Sequence, residues 1–245
     1  DAAHLLPIFG VRGANTAFQD AQSLGWHLAC VVKGIAPEKF MQNHSTERVG
    51  AAREIITEAG KSTRFMAPPS RGFRLLRDAV LSLSLTQEFV RPLYHWRTSR
   101  PHAYSHSDLN SQFHEADTLK DGLALGAPPQ NAQFTKDNFL LDHLGGGFDL
   151  VYLADKTGIP EDIQAATQLA KQQGIPFKLL AITQEAGSVS GADVTLFDPD
   201  NRFATRYGVS VGGAYLFRPD QHICARWSQL NAAQIGQSLK KALMQ

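Results

Sequence analysis

The chain has 245 residues, with 24 basic against 23 acidic side chains and 43% hydrophobic residues. That length suits one large domain or two modest ones, and the apolar share is ordinary for a protein with a real core. A net charge of +1 lacks the basic surface that non-specific nucleic-acid binding needs. No apolar run approaches the ~20 residues of a membrane span. Neither nucleic acid nor membrane is therefore expected as a partner. The chain carries no signal-peptide pattern and starts on Asp1 rather than Met, so it is expected to be a processed or trimmed piece of a cytoplasmic protein. Cys30 and Cys224 are far apart and share no motif, which favours two free thiols over a disulfide.

The opening stretch "DAAHLLPIFGVRGAN" is a glycine-punctuated loop before a helical pattern. Gly10 and Gly13 permit close backbone approach and unusual φ angles. The N–H groups of residues 13–16 are the unpaired donors of a helix start, which favours an anion or an electron-rich oxygen. Arg12 adds positive charge there, and Asp1, the only acid on the loop, can accept hydrogen bonds from hydroxyls. From these features alone a ligand site and a plain helix entry stand level.

Ala17, Ala21, Leu24, Leu28 and Val32 recur at helical spacing, with Asn15 or Thr16 as cap and Gly34 as stop. A second helix follows Pro37, with Phe40, Val49, Ile55 and Ile56 as its apolar positions. "MAPPSRG" interrupts it, and a third helix offers Leu75, Leu76, Ala79, Val80 and Leu83 as a buried face. Residues 99–136 are polar and rich in Pro, His and Ser, and read as an extended connector that packs in part on a neighbour.

The second half alternates strand and helix. "FDLVYLA" (148–154) and "FKLLAIT" (177–183) are buried strands, and "VTLFD" (194–198) is a third strand or an edge piece. Between the first two lies a helix opened by Pro160, with Ile163, Ala166, Leu169 and Ala170 on one face. "NRFATRYGV" reads as a short helical turn, 215–227 as a hairpin turning at Pro219 and Asp220, and 231–245 as a last helix with Ile235, Leu239, Ala242 and Leu243 inward. Strand, crossover helix, strand implies a parallel pair, here followed by an antiparallel hairpin.

Other residues favour plain roles. His102, His106 and His114 lack the ligand set and geometry that zinc demands, so no metal is expected. His4 reads as a loop-packing group and Asp20 as a local cap or pair. The tryptophans pack, the basic residues of "SRGFRLLRD" form a solvated helix face, and "GSVSG" has Val where a nucleophile elbow needs Ser.

The β/α order of residues 137–245 resembles the thioredoxin fold, but "DKTG" (155–158) stands where redox members carry Cys-x-x-Cys, and "VSVGGA" lacks their proline. Without a low-pKa thiolate and a resolving thiol, this half has no exchange chemistry. The opening stretch resembles the second flavin-binding motif of the class A FAD-dependent aromatic monooxygenases. Asp1, Ala2, Ala3, His4, Pro7, Gly10, Gly13, Asn15, Asp20 and Ala21 match it in order. "STERVGAARE" (45–54) is similar to a later family segment, with Ser45 in place of Tyr. The second half is similar to the C-terminal domain of the phenol and 3-(3-hydroxyphenyl)propionate hydroxylase branch.

The resemblance implies an α/β chain in three parts. Residues 1–98 are the helical tail of an FAD-binding domain, 99–136 a connector, and 137–245 a thioredoxin-like α/β domain lacking Cys-x-x-Cys. It implies FAD as cofactor, with NAD(P)H as reductant and O2 transfer through a flavin hydroperoxide to a phenolic substrate. Asp1 would bind the ribityl hydroxyls, and the backbone of Gly13, Ala14 and Asn15 would face the pyrimidine edge beside Arg12 and Gly10. Pro7, Ile8 and Phe9 would lie near the reacting face of the ring. No residue of this chain is expected to act as a catalytic acid, base or nucleophile.

The departures are Ile8 for a second proline, and Val11-Arg12 where Gly-Gln is common. The preceding Gly, the Gly-x-Gly-x-x-Gly fingerprint and the substrate sheet are absent. They are expected in a missing N-terminal part of the same polypeptide, so the chain alone is expected to be colourless and inactive. The second reading is a non-catalytic, thioredoxin-like interaction or dimerisation module, with a homodimer as its partner state.

Overall fold

Thr16 N–H donates to the Arg12 carbonyl at 2.9 Å, and this first i→i−4 bond starts helix α1 at Gly13–Val32. Asn15 and Thr16 therefore lie inside the first turn instead of capping it, and Gly13 is a helical residue with no left-handed φ. Gly34, at φ +69°, ends the helix as expected, and the Ile35 and Ala36 amides fold back onto the Cys30 carbonyl. The computed structural model describes residues 3–8, 12–94, 101–112, 119 and 121–245.

Those residues form two compact units. The first comprises Asp1–Leu24 and His44–His102; the second, Gly25–Asn43 and Ala103–Gln245. In the first, α2 (Met41–Met66) and α3 (Arg71–Ser84) follow α1, and a 3-10 turn spans Glu88–Leu93. Pro37 precedes a single 3-10 turn, Glu38–Phe40, before α2 begins. The Ser70 hydroxyl caps α3 by accepting from Phe73 N–H at 3.4 Å. The interior of this unit is small: Ala51, Ala52 and Ala59 of α2 are buried, as are Val80 and Val90.

Expected apolar positions on three helices are corrected. On α1, Ala17, Ala21, Leu24, Leu28 and Val32 are all exposed, Val32 at 76%. The inward side instead carries Thr16, Ser23, Trp26, His27 and Cys30. On α3, Leu75, Leu76, Ala79 and Leu83 are exposed and only Val80 is buried. On α2, Val49 and Ile56 are likewise exposed. A helical apolar stripe shows which side gains from burial, but nothing among the described residues covers these stripes. The arginines at positions 71 and 74 are solvated, as expected.

The second unit is built on a five-stranded sheet, ordered β5-β4-β3-β6-β7. Its strands are β3 (Phe148–Leu153), β4 (Phe177–Thr183), β5 (Val194–Phe197), β6 (Ala214–Phe217) and β7 (Ile223–Trp227). β3 pairs parallel with β4, and β4 with β5, so "VTLF" is a third parallel strand at one edge of the sheet. β6 runs antiparallel to β3, and β7 to β6, which gives the parallel set and terminal hairpin that the sequence implied. Both faces are covered. Phe148, Leu150 and Tyr152 point into one apolar cluster with Leu179, Ala181 and Leu216. Val151 and Leu153 point into the other with Leu180, Ile182, Tyr215 and Phe217. Period-2 alternation thus feeds two cores, which is why these strands read as unbroken apolar runs.

Helices α4 (Glu161–Gln172) and α6 (Ala232–Ala242) face the first cluster, and the short α5 (Arg202–Tyr207) the second. Ile235, Leu239, Ala242 and Leu243 are buried as expected, and so are Ile163 and Ala170. Leu169, expected inward, is 55% exposed at the edge of α4. Trp26 and Trp227 pack in the first cluster; Trp96 and His114 lie outside the described residues. Among the described residues no helix is long and apolar enough to cross a membrane.

The polar stretch before the sheet packs on it, and its end forms an unexpected hairpin, β1 (Gln133–Thr135) with β2 (Asn138–Phe139). Ser111 N–H donates to the Cys224 carbonyl, and Gly126 N–H to that of Ile223. Further along, side chains of the sheet and α5 hold the arm. The Tyr215 hydroxyl accepts from Leu123 N–H at 3.1 Å, and the Tyr207 hydroxyl donates to the Gln130 carbonyl at 2.8 Å. Arg226 donates to the Leu119 and Leu123 carbonyls. Burial pushes the Tyr207 phenol well above its usual range, so it keeps its proton.

Candidate functional site

The opening loop is held by one carboxylate. Asp20, on α1, takes His4 Nε2 on one oxygen at 2.7 Å and Arg48 Nε on the other at 2.5 Å. Arg48, on α2, is buried and also donates to the Thr16 carbonyl at 3.3 Å. Burial alone would raise the Asp20 carboxyl, but hydrogen bonds and charge from Arg48, then His4, outweigh it and hold it below the usual carboxylate range. One helical turn on, Ser23 Oγ meets His44 Nδ1 at 3.0 Å. Burial, with Arg48 nearby, pushes the His44 imidazole down and keeps it neutral. The seam between α1 and α2 is therefore polar and specific, and it ties the loop to the helix start.

His4 packs the loop as expected, and Asp20 pairs, though with partners 16 and 28 positions away. Arg48 was present only as part of the "STER" segment, without a role. Asp20→Asn should weaken both contacts of this carboxylate. The first unit is expected to lose about 2 kcal/mol in urea unfolding, the scale of hydrogen bonds to charged groups. Backbone amides of residues 4–6 should exchange faster. Unchanged exchange there would show that the Asp20 clamp does not hold the loop.

The expected site residues fall as follows. Pro7 and Arg12 are half-buried, Ile8 is 89% exposed, and Gly13, Ala14 and Asn15 are exposed at the start of α1. Asp1, Phe9 and Gly10 lie outside the described residues. The first turn of α1 carries no acid, and a Cβ added at Gly13 would meet nothing within 4 Å. Among the described residues, the start of α1 is thus exposed and its first turn brings no acid, the setting in which a helix start receives an electron-rich group. A flavin ring edge fits that description.

The place of a redox pair in the second unit is closed. Thr157 N–H and hydroxyl both donate to Asp155 Oδ1, and Gly158 N–H to the Asp155 carbonyl, making a tight turn. Both cysteines are buried elsewhere and outside any disulfide, and burial pushes the Cys30 thiol up, away from thiolate. Among the described residues no group of His, Cys, Asp or Glu is placed to hold a metal ion. His102 instead pairs with Glu54.

Residues 1–59 match the FAD binding domain family. Across 99% of its length the chain is 25% identical to a 3-(3-hydroxy-phenyl)propionate/3-hydroxycinnamic acid hydroxylase of Mycolicibacterium gilvum, covering 43% of that protein. It is 30% identical to a 4-methyl-5-nitrocatechol 5-monooxygenase of Burkholderia sp, over 92% of the chain and 39% of the relative. Among solved structures, the flavin-dependent monooxygenase PieE in complex with FAD and substrate matches 99% of the chain at a TM-score of 0.70 and 21% identity, with 46% of its own chain covered. RebC with bound 7-carboxy-K252c matches at 0.70 and 23% identity, over the whole chain and 44% of RebC. The chain spans less than half the length of these proteins. Over nearly all of its length the chain is similar in sequence to aromatic-compound hydroxylases and monooxygenases, and it shares its fold with flavin-dependent monooxygenases.

Proposed function

We propose that this chain forms one wall of the FAD site of a flavin-dependent aromatic-ring hydroxylase, and that a further part of the same polypeptide supplies the other walls and the substrate pocket. The observation that carries this reading is the acid-free, open start of α1 within the segment matched by the FAD binding domain family, held in place by the His4–Asp20–Arg48 contacts. In this reading FAD, reduced by NAD(P)H, supplies the oxygen-transfer chemistry on a phenolic ring. The residues of this chain bind and orient it. The backbone of Gly13, Ala14 and Asn15, with the positive end of α1 and Arg12, stabilises negative charge on the pyrimidine edge of the ring. Asp1 accepts from ribityl hydroxyls, and Gly10 lets the loop approach. Pro7, Ile8 and Phe9 shape the approach to the reacting face. None of these residues transfers a proton.

Residues 137–245 serve in this proposal as a thioredoxin-like scaffold that makes subunit contacts. Supporting that role, its would-be redox turn is closed and both thiols are buried. The test has two arms. The 245-residue chain, mixed with FAD and passed through a desalting column, is expected to emerge colourless. The longer polypeptide, expressed whole, is expected to be yellow and to oxidise NAD(P)H faster when a hydroxylated phenylpropionate or catechol is added. A whole polypeptide without flavin overturns the reading. A yellow 245-residue chain overturns the claim that the other walls are needed.

A further inference from the structure

The first unit contains a second concavity that shares no residue with the opening loop. Its volume is about 260 Å³, and α2, α3 and the 88–93 turn wall it. Phe65, Phe73, Leu76, Val80, Pro92 and Leu93 supply its apolar floor. Three cations stand at the rim: Lys61, Arg64 and Arg77. Lys61 is paired with Glu58 at 2.7 Å and Arg77 with Asp78 at 2.8 Å. Arg64 is exposed and has no carboxylate partner among the described residues.

We propose that this groove binds a single-ring aromatic carboxylate. The floor and the rim make different demands, and one ligand class meets both. An inorganic anion would leave the apolar floor wet, and a neutral hydrocarbon would leave Arg64 without a counter-ion. A guanidinium pairs with a carboxylate through two parallel N–H donors, a geometry that a point charge cannot match. Phe65 and Phe73 offer a ring edge-to-face or offset contacts. Size decides between one ring and several, because the groove lies below the ~300–1,000 Å³ of pockets for drug-sized ligands. This inference does not depend on the flavin reading, since none of its residues is placed at the flavin.

The test uses the 245-residue chain and 3-phenylpropionate at low ionic strength, followed by two-dimensional NMR. Saturable shifts are expected at Phe73, Leu76 and Val80. The neutral amide of the same acid, and acetate, should each bind at least about fivefold more weakly, since one supplies only the ring and the other only the charge. Arg64→Gln alters an exposed side chain and should keep the fold while weakening 3-phenylpropionate by about fivefold. Val80→Phe should fill the groove and abolish binding. The proposal is overturned if 3-phenylpropionate does not saturate, if its shifts fall elsewhere, or if Arg64→Gln binds it as tightly as the parent chain. It is also overturned if sedimentation shows a dimer under these conditions and dilution to monomer removes the shifts at Phe73, Leu76 and Val80.

Discussion

Replacing Arg218 by leucine is expected to unfold the second unit or strip it of most of its stability. Arg218 is fully buried just after β6 and grips Asp220 with two bonds, Nε to Oδ1 at 3.0 Å and one terminal nitrogen to Oδ2 at 2.7 Å. Trp26 Nε1 donates to Oδ2 of the same carboxylate at 3.1 Å. The guanidinium lies 5.3 Å from the ring centres of both Trp26 and Tyr104. This pair therefore joins residues distant in sequence at the turn of one hairpin. Burial disfavours the Asp220 carboxylate, but the Arg218 charge, then His222, outweigh it and hold the group far below its usual range.

Removing one partner leaves the other charge buried and unpaired, which costs about 3–5 kcal/mol. That is a large part of the ~5–15 kcal/mol that holds a domain together. The double change Arg218→Met with Asp220→Leu should recover most of the loss, because no charge is then left inside. Urea midpoints by circular dichroism check both. A single variant within about 1 kcal/mol of the parent chain would show that the pair is not the joint. The sign with pH follows from the lowered value. The contribution of Asp220 is present above the unfolded carboxyl pKa of 3.8 and is lost as pH falls toward the lower folded value.

Asp149 should behave in the opposite sense. It sits fully buried at the start of the central strand β3, and burial pushes its carboxyl up to about 6. Gly145 N–H donates to Oδ2 at 2.5 Å and the Lys178 ammonium stands 3.3 Å from Oδ1, and both oppose that rise without cancelling it. Lys178 is an ion-pair neighbour here and not an aligned donor, for Oδ1 makes no hydrogen bond. With the folded value raised from 3.8, the stability from this group is full at low pH and drains away as pH rises through 6. The span corresponds to about 3 kcal/mol at ~1.4 kcal/mol per unit. Asp149→Asn keeps an acceptor for Gly145 and cannot ionise. Its stability relative to the parent chain should rise between pH 4 and 7 by up to that amount, measured as urea unfolding at each pH. Parallel curves for the two chains would rule the assignment out.

How much of this was legible depended on whether burial was dictated locally. The strands of the second unit are buried on both faces, so Phe148–Leu153 and Phe177–Thr183 announce themselves as apolar runs. The inward face of α6 was legible for the same reason, since Ile235, Leu239 and Ala242 meet a sheet formed by the same half of the chain. The faces of α1 and α3 were misread, because periodicity marks a side and not its cover. On α1 the contacts run through Thr16, Asp20 and Ser23, polar residues whose partners Arg48 and His44 lie a helix away. The motif pointed to the opening loop, but the tie that holds it, from Asp20 to Arg48, is a long-range contact that no local pattern encodes. Gly13 looked like a turn residue and is a helical one, because Arg12 already supplies the first acceptor.

The arm before the sheet carries one last consequence, for the order of folding. Its anchors are remote: Leu123 reaches Tyr215 across 92 positions, Gln130 reaches Tyr207 across 77, and Leu119 reaches Arg226 across 107. Closing such loops costs chain entropy before any contact repays it. Each anchor also exists as a binding point only once β6, β7 and α5 have assembled. The arm is therefore expected to arrive late, laid down on a finished sheet, and the contact order it adds is expected to slow completion of the unit.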